Sequence, residues 1–216
     1  MPQKFAIDFG TTNSAVARWE PSQEKAEPSR RPGISDDAIT ERPAVIPSLL
    51  YVNNAKTNQF TIGQAVRSEL LDSKRDNRLF RNFKRGIVAT PAPEPRLIDD
   101  VPFADKNAGE YFVKEILKQM PYNDADIEQL VLTAPVASFE GYLSWLNGVI
   151  DDIAPDKIRV VDESTAAALG YSVTKPGAVV LVFDFGGGTL DLSLVQLPEH
   201  REKAGGFLNK LLSRNT

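Results

Sequence analysis

The sequence contains no cysteine and a single histidine, His200. Disulfides, thiolate nucleophiles and cysteine-ligated metals are thereby excluded, and no histidine cluster can form within these 216 residues. No window approaches the ~18 uninterrupted apolar residues of a membrane-crossing helix. The start, MPQKFAIDFG, passes straight into a strand-like segment without a basic region followed by an apolar one. An excess of positive charge is missing too. With 25 Lys and Arg against 29 Asp and Glu, no global field draws the chain to nucleic acid or to an acidic membrane. The expectation is a cytoplasmic protein that engages neither. What remains for chemistry is carboxylates, hydroxyls, basic side chains and backbone amides, on a chain whose 42% hydrophobic content can bury a sizeable core.

Lys4 to Asp8 reads as a buried strand that ends in a tight turn at Gly10, Thr11 and Thr12, with Ser14 to Trp19 returning. Glu20 to Pro43, rich in Pro, Ser and charge without periodicity, predicts a surface loop. Val45 to Val52 predicts a strand, and Gln64 to Leu71 a helix from the spacing of Ala65, Val66, Leu70 and Leu71. A basic run with Phe80 and Phe83 continues to Arg85. It is interrupted by Glu69, Asp72 and Asp76, and reads as a solvated helical face rather than a nucleic-acid patch. Thr90 to Pro102, punctuated by Pro91, Pro93 and Pro95, predicts an extended connection. Phe112, Val113, Ile116, Leu117 and Met120 trace one helix face. Phe139, Tyr142, Leu143, Leu146, Val149, Ile150 and Ile153 trace another, with Ser138 as N-cap. Strands at Gln129 to Thr133 and Ile158 to Val161 flank that second helix, making a βαβ unit with locally parallel strands. Glu163 to Gly170 suits a short, closely packed helix. Val179 to Asp184 reads as a buried strand, with Leu190 to Leu197 returning antiparallel.

One pattern occurs twice. FAIDFGTTNSAVA from Phe5 and LVFDFGGGTLDLS from Leu181 align without a gap on Asp8 and Asp184. Each hairpin places a carboxylate at the end of a strand, just before a turn of residues small enough for the backbone to approach a ligand. Converging turn amides bind phosphate oxygens, and the neighbouring carboxylate can hold the magnesium that bridges them, directly or through water. A single such hairpin marks a turn more often than a phosphate site. Two copies that face one another would clamp a triphosphate, and phosphoryl transfer to water needs chiefly positioning and charge neutralisation.

These motifs carry a family resemblance. IDFGTTNSAVA is similar to the first phosphate motif of the 70-kDa heat-shock chaperone ATPase domain, and VLTAPVASFEG to the strand and turn before its long helix. VVDESTAAALGYS is similar to the segment joining its lobes, and VLVFDFGGGTLDLSLV to its second phosphate motif. The order is that of the family over nearly the whole chain. The resemblance implies an α/β, actin-like ATPase (ribonuclease-H-like) fold, a mixed sheet with flanking helices. Residues 1–177 would form the first lobe, with a side subdomain at about 36–105, and 178–216 would open the second. It implies ATP or ADP with Mg2+, and a monovalent cation such as K+, as cofactors. Client polypeptides and co-chaperones would engage regions outside this chain. Carried over residue by residue, Asp8, Glu163 and Asp184 would surround the magnesium and its waters. Gly10, Thr11, Thr12, Asn13, Gly186, Gly187, Gly188 and Thr189 would contact the phosphates, and Asp191 would sit near the attacking water or the monovalent cation.

Two positions depart from the family pattern. Arg67, grouped here with the catalytic residues, stands where the family usually has a lysine reaching the γ-phosphate from the side lobe. Arginine is a wider, forked cation than lysine. Leu143 stands where the family usually has an arginine that works with the proline matched by Pro135. Alternatives to a chaperone-like ATPase are a non-catalytic nucleotide-sensing or filament-forming module, which suits these departures, and a ribonuclease-H-like metal-dependent nuclease. The glycine and threonine turns speak against the nuclease. An exposed edge on the Val179 to Leu197 hairpin would make the chain part of a longer product.

Overall fold

The computed structural model describes residues 3–36, 44–120, 126–136, 138–170, 177–186 and 190–196. In chain order the elements begin with β1 (Gln3–Asp8), β2 (Asn13–Glu20), β3 (Lys25–Pro28), β4 (Ile46–Pro47), β5 (Leu49–Asn54) and β6 (Gln59–Ile62). Next come α1 (Gln64–Ser68), β7 (Leu79–Arg81), α2 (Phe83–Ile87), β8 (Arg96–Ile98), β9 (Val101–Phe103) and α3 (Asp105–Lys118). The chain continues through β10 (Ile127–Ala134), α4 (Phe139–Val149), β11 (Ile158–Asp162), α5 (Glu163–Gly170), β12 (Val179–Phe185) and β13 (Leu190–Gln196).

The main sheet runs β11-β10-β1-β2-β3, with β4 also pairing β2. β1, β10 and β11 are parallel, whereas β2 turns back antiparallel on β1. The fold class is therefore mixed α/β, consistent with an actin-like ATPase fold. Alternation along β1 and β10 sends Phe5, Ile7, Leu130 and Leu132 to the core, where Phe112, Ile116, Tyr142 and Leu146 of α3 and α4 meet them. The β10-α4-β11 unit is the expected crossover. Residues 44–103 build a three-stranded sheet, β6-β5-β7, and a hairpin, β8-β9. Their Leu50, Val52, Phe80, Ile98 and Phe103 belong to the same buried cluster as β1 and β10.

Four expectations need correction. The predicted loop after Glu20 contains β3, paired with β2 from Ala17↔Pro28 to Glu20↔Lys25. Its KAEP sequence buries no side chain, so backbone pairing to an open edge makes the strand, without an apolar signal. The proline-rich connection contains the β8-β9 hairpin, turned by Asp99 and Asp100, both at positive φ as a type I′ turn requires. α1 stops at Ser68, and Leu70, counted on its apolar face, adopts a left-handed φ of 56° and is 68% exposed. α4 ends at Val149 rather than at Ile153, although Ile150 and Ile153 remain buried beyond it.

β12 also differs from a buried strand. Val182 is 9% exposed, whereas Leu181, Phe183 at 66% and Phe185 at 83% lie open, opposite Leu194, Leu192 and Leu190. One face of this hairpin is thus apolar and uncovered among the described residues. No helix among the described residues is long and apolar enough to cross a membrane.

Asp99 ties the 44–103 region together. Its carboxylate pairs with Arg78, which also donates to the carbonyls of Val52 and Asn53, and it accepts the Ala55 N–H at 2.9 Å. The Arg78 guanidinium and the Ala55 amide hold its carboxyl down to about 2. A depressed acid contributes stability that is present above its unfolded value, near 4, and is lost as pH falls through the folded value. The melting-temperature gap between the native chain and Asp99→Asn should be constant above about pH 5 and shrink between about pH 4 and 2. Thermal unfolding followed by circular dichroism checks this, and a gap that does not change with pH would remove Asp99 from this role.

Candidate functional site

Parallel pairing in register brings three strand ends to one edge. Ile7 lies beside Leu132, and Ala134 beside Asp162. Asp8, Thr133 and Glu163 therefore emerge together at the carboxyl ends of β1, β10 and β11, the edge where open α/β sheets place their ligands. Thr133 Oγ1 donates to Asp8 Oδ1 at 2.7 Å and fixes that carboxylate. Asp162 accepts the Thr165 N–H at 2.8 Å and caps α5, so that Glu163 occupies the helix's first turn.

The turn after β1 is held from behind. Ser48 Oγ donates to the Gly10 carbonyl at 2.7 Å, and the Ser48 N–H donates to the Thr12 carbonyl at 2.9 Å. A trans peptide points its N–H away from its carbonyl. Anchoring those two carbonyls therefore turns the Thr11 and Asn13 amides to the opposite side, where both residues line a cleft. Gly10 is obligatory in this bend, because a Cβ there would overlap the Asn13 carbonyl oxygen. Beneath the turn, Phe9 packs on Phe83, Phe112, Tyr142 and Trp145 with ring centroids 5.7 to 6.5 Å away.

The second hairpin repeats the first in register as well as in sequence. Asp8 pairs with Ala15, and Asp184 pairs with Asp191, the same number of residues on. Ser164 of α5 donates to Ser193 of β13 at 2.7 Å and attaches this hairpin to the helix that begins with Glu163. Gly187, Gly188 and Thr189 lie outside the described residues.

Between the hairpins is a cleft of about 1000 Å³. Asp8, Gly10, Thr11, Thr12, Asn13, Glu163, Asp184 and Gly186 line it, together with Thr133 and Lys84. Burial raises the Glu163 carboxyl, the Lys84 ammonium opposes that shift, and the carboxylates of Asp8 and Asp184 add to it. Glu163 thus feels both other acids. Among the described residues, however, no three acidic groups are close enough to hold a metal ion directly.

The basic residue in this cleft is Lys84. It is 7% exposed, is paired with Glu163, and lies over the Phe9 and Tyr142 rings at 5.7 and 5.8 Å. Arg67 is exposed on α1 and is not among the lining residues. The basic run is therefore not uniformly a solvated face. Lys84 directly follows the buried Phe83 in the sequence, yet periodicity could not separate it from its exposed neighbour Arg85. Thr133 was likewise unmarked, because a threonine at a strand end has no signature until the partner strand is known. Leu143 is half-buried on α4, beside the fully buried Tyr142.

The Hsp70 protein family profile matches residues 153–202, which hold β11, α5 and both strands of the second hairpin. The chaperone protein DnaK of Thermosipho melanesiensis is 27% identical over 196 residues, 88% of this chain. The DnaK proteins of Thermotoga maritima and Endomicrobium trichonymphae are 27% and 26% identical over 89% and 91% of it. The chain is similar to the Hsp70 chaperones. It spans about 30% of the length of these curated relatives. The similarity supports a fragment of an Hsp70 nucleotide-binding domain, in a family of chaperone-like ATPases.

The anchored turn makes two substitutions informative for this Hsp70-like site. Gly10→Ala should lower stability by about 2 kcal/mol or more, since a backbone oxygen cannot step aside. Ser48→Ala should cost about 1 to 2 kcal/mol for its lost buried bonds. Chemical denaturation measures both, and a Gly10→Ala chain as stable as the native one would contradict the close approach.

Proposed function

We propose that this chain is the phosphate-binding part of a chaperone-like ATPase, and that it clamps magnesium–ATP or ADP between its two hairpins. The observation that carries the reading is the shared register of the Asp8 and Asp184 hairpins across a single cleft that also contains Glu163. In this reading the amides of the turn 10–13 and of the turn 186–189 receive the phosphate oxygens, with the hydroxyls of Thr11, Thr12 and Thr189 beside them.

The residues fit a hydrated divalent ion. Burial, and after it the nearby carboxylates of Asp8 and Asp184, make Glu163 hold its proton more tightly than an ordinary carboxyl, and one ammonium is the only cation among the described lining residues. Acids spaced too widely for a direct chelate suit an ion held through its waters. Magnesium, when bound, would neutralise charge on the bridging phosphate oxygens. Asp8, Glu163 and Asp184 would hold those waters. Asp191 would orient the water that attacks the γ-phosphorus or hold a monovalent cation such as K+. The new P–O bond forms as the bond to the β–γ bridging oxygen breaks, releasing ADP and phosphate.

Residues 178–216 are then the opening of a second lobe, and residues 1–177 the first. The open apolar face of β12 and β13 supports this division, since Phe183, Phe185 and Leu194 suit packing against further protein. Clients and co-chaperones would bind regions outside this chain. The exposed position of Arg67 keeps a second reading in view, a nucleotide sensor that binds without turnover, and comparing nucleotide binding with phosphate release separates the two.

Asp8→Ala and Asp184→Ala in the natural full-length protein should each reduce magnesium-dependent ATP hydrolysis by about 100-fold or more, equivalent to ~2.7 kcal/mol of transition-state stabilisation. A phosphate-release assay measures this. Hydrolysis at the native rate in both variants would exclude the clamp.

A further inference from the structure

We propose that a second pocket, at the amino end of β1, binds a small phosphate-bearing molecule through Arg18 and Arg31. It lies at the end of the strand opposite Asp8 and shares no lining residue with the cleft between the hairpins, so it does not depend on the nucleotide reading. Its volume is about 330 Å³, at the lower end of the range of small-molecule sites. The strand register explains how it forms. Arg18 pairs with Phe5 on one side and with Glu27 on the other, which puts the three side chains on one face of the sheet. Beyond Phe5 that face leaves the core, and the chain following β3 brings Ser29, Arg30 and Arg31 alongside. Three guanidiniums and one carboxylate therefore line the pocket, in a chain whose acids outnumber its bases. The carboxylate, Glu27, is answered by Lys25 at 3.2 Å.

Arg31 decides the reading. It is buried, and among the described residues no carboxylate pairs with it. Its Nη1 donates to the Gln119 carbonyl at 3.0 Å, just past α3, and its guanidinium carbon lies 6.0 Å from the centre of the Phe5 ring. Its Nε is buried and finds no acceptor among the described residues. An arginine keeps its charge when buried, and one neutral carbonyl and one ring face offset only part of the desolvation cost. Burial, and after it the charge of Arg18, weaken the hold of Arg31 on its proton. Arg18 is itself only loosely matched, by Glu20 at 3.4 Å. Two guanidiniums that repel one another beside a pocket are relieved by an arriving anion. A brace between Arg31 and α3 would account for the Gln119 contact but not for a second guanidinium next to it.

The backbone around Arg31 is fixed in advance. The Arg31 N–H donates to Ser35 Oγ at 2.8 Å, and the Ser35 N–H donates to the Arg31 carbonyl at 2.9 Å. On the other side, the Ser29 N–H donates to the Val16 carbonyl at 2.7 Å. A donor held in place loses little freedom on binding. Phosphate suits these donors better than carboxylate does. A phosphate monoester carries close to two negative charges near neutral pH and has three terminal oxygens, enough for two guanidinium forks, whereas a carboxylate has one charge and two oxygens. Gln3, Ser29 and Glu27 are placed to hydrogen-bond the remainder of such a molecule.

Calorimetric titration of the natural full-length protein tests this with glycerol 3-phosphate, inorganic phosphate and succinate, each in excess magnesium–ADP to occupy the cleft. At least one of the two phosphates should bind with a Kd of about 1 mM or below, and the tighter one identifies whether an ester or the free ion is the occupant. Arg18→Gln and Arg31→Gln should each weaken that phosphate by about 10-fold or more. These variants locate the site whether or not the cleft takes nucleotide. Succinate binding as tightly as the phosphates, no phosphate binding, or phosphate affinity unchanged in Arg18→Gln would each overturn the proposal. Should Arg31→Gln fail to fold, Arg18→Gln decides alone, because Arg18 is exposed and a brace on α3 gives it no part in binding phosphate.

Discussion

The ion pair between Lys84 and Glu163 joins two elements 79 residues apart in sequence. Glu163 opens α5, at the far edge of the parallel strands, and Lys84 belongs to α2, in the segment that also carries the small side sheets. A buried pair of this kind is a poor source of net stability, because taking both charges out of water costs about as much as their attraction returns. Its consequence is positional. With either partner removed, the other is left as an uncompensated charge in a low-dielectric cleft, so the two elements are held to one relative placement.

That placement depends in turn on the parallel register of β1, β10 and β11. The three strands end at one level, and an acid or a hydroxyl stands at each end. The arrangement concentrates negative charge, and the carboxylates of Asp8 and Asp184 add to the rise that burial causes in the Glu163 carboxyl. Tyr142, whose phenol is pushed up by burial and by the nearby Glu163 and Asp8, stays protonated there. A cleft that gathers carboxylates around one ammonium is suited to a cation and an anion arriving together.

Much of this was legible in the sequence. The repeated DFG motif located both hairpins, and its gapless alignment anticipated their identical register, because a hairpin's pairing is set by the number of residues in its turn. The β10-α4-β11 unit could be read from apolar spacing, since α4 buries a single face. β3 could not, because its strand character comes from the open edge of β2 and not from its own side chains. The β8-β9 hairpin was hidden by prolines, and by a turn in which two aspartates occupy positions where glycine or asparagine usually signals a hairpin.

The chemical groups were visible as residue types. Acids preceding small-residue turns are a local pattern, and local patterns survive in a linear sequence. Which basic residue faces those acids is a nonlocal matter. Arg67 and Lys84 share one basic run and differ in surroundings because α1 lies on the surface while α2 is wedged between Phe9, Phe112 and the start of α3. Thr133 reaches Asp8 only once β10 pairs with β1. Burial and cross-strand contact arise from chain segments that are distant along the backbone, so no spacing rule within either segment could have announced them.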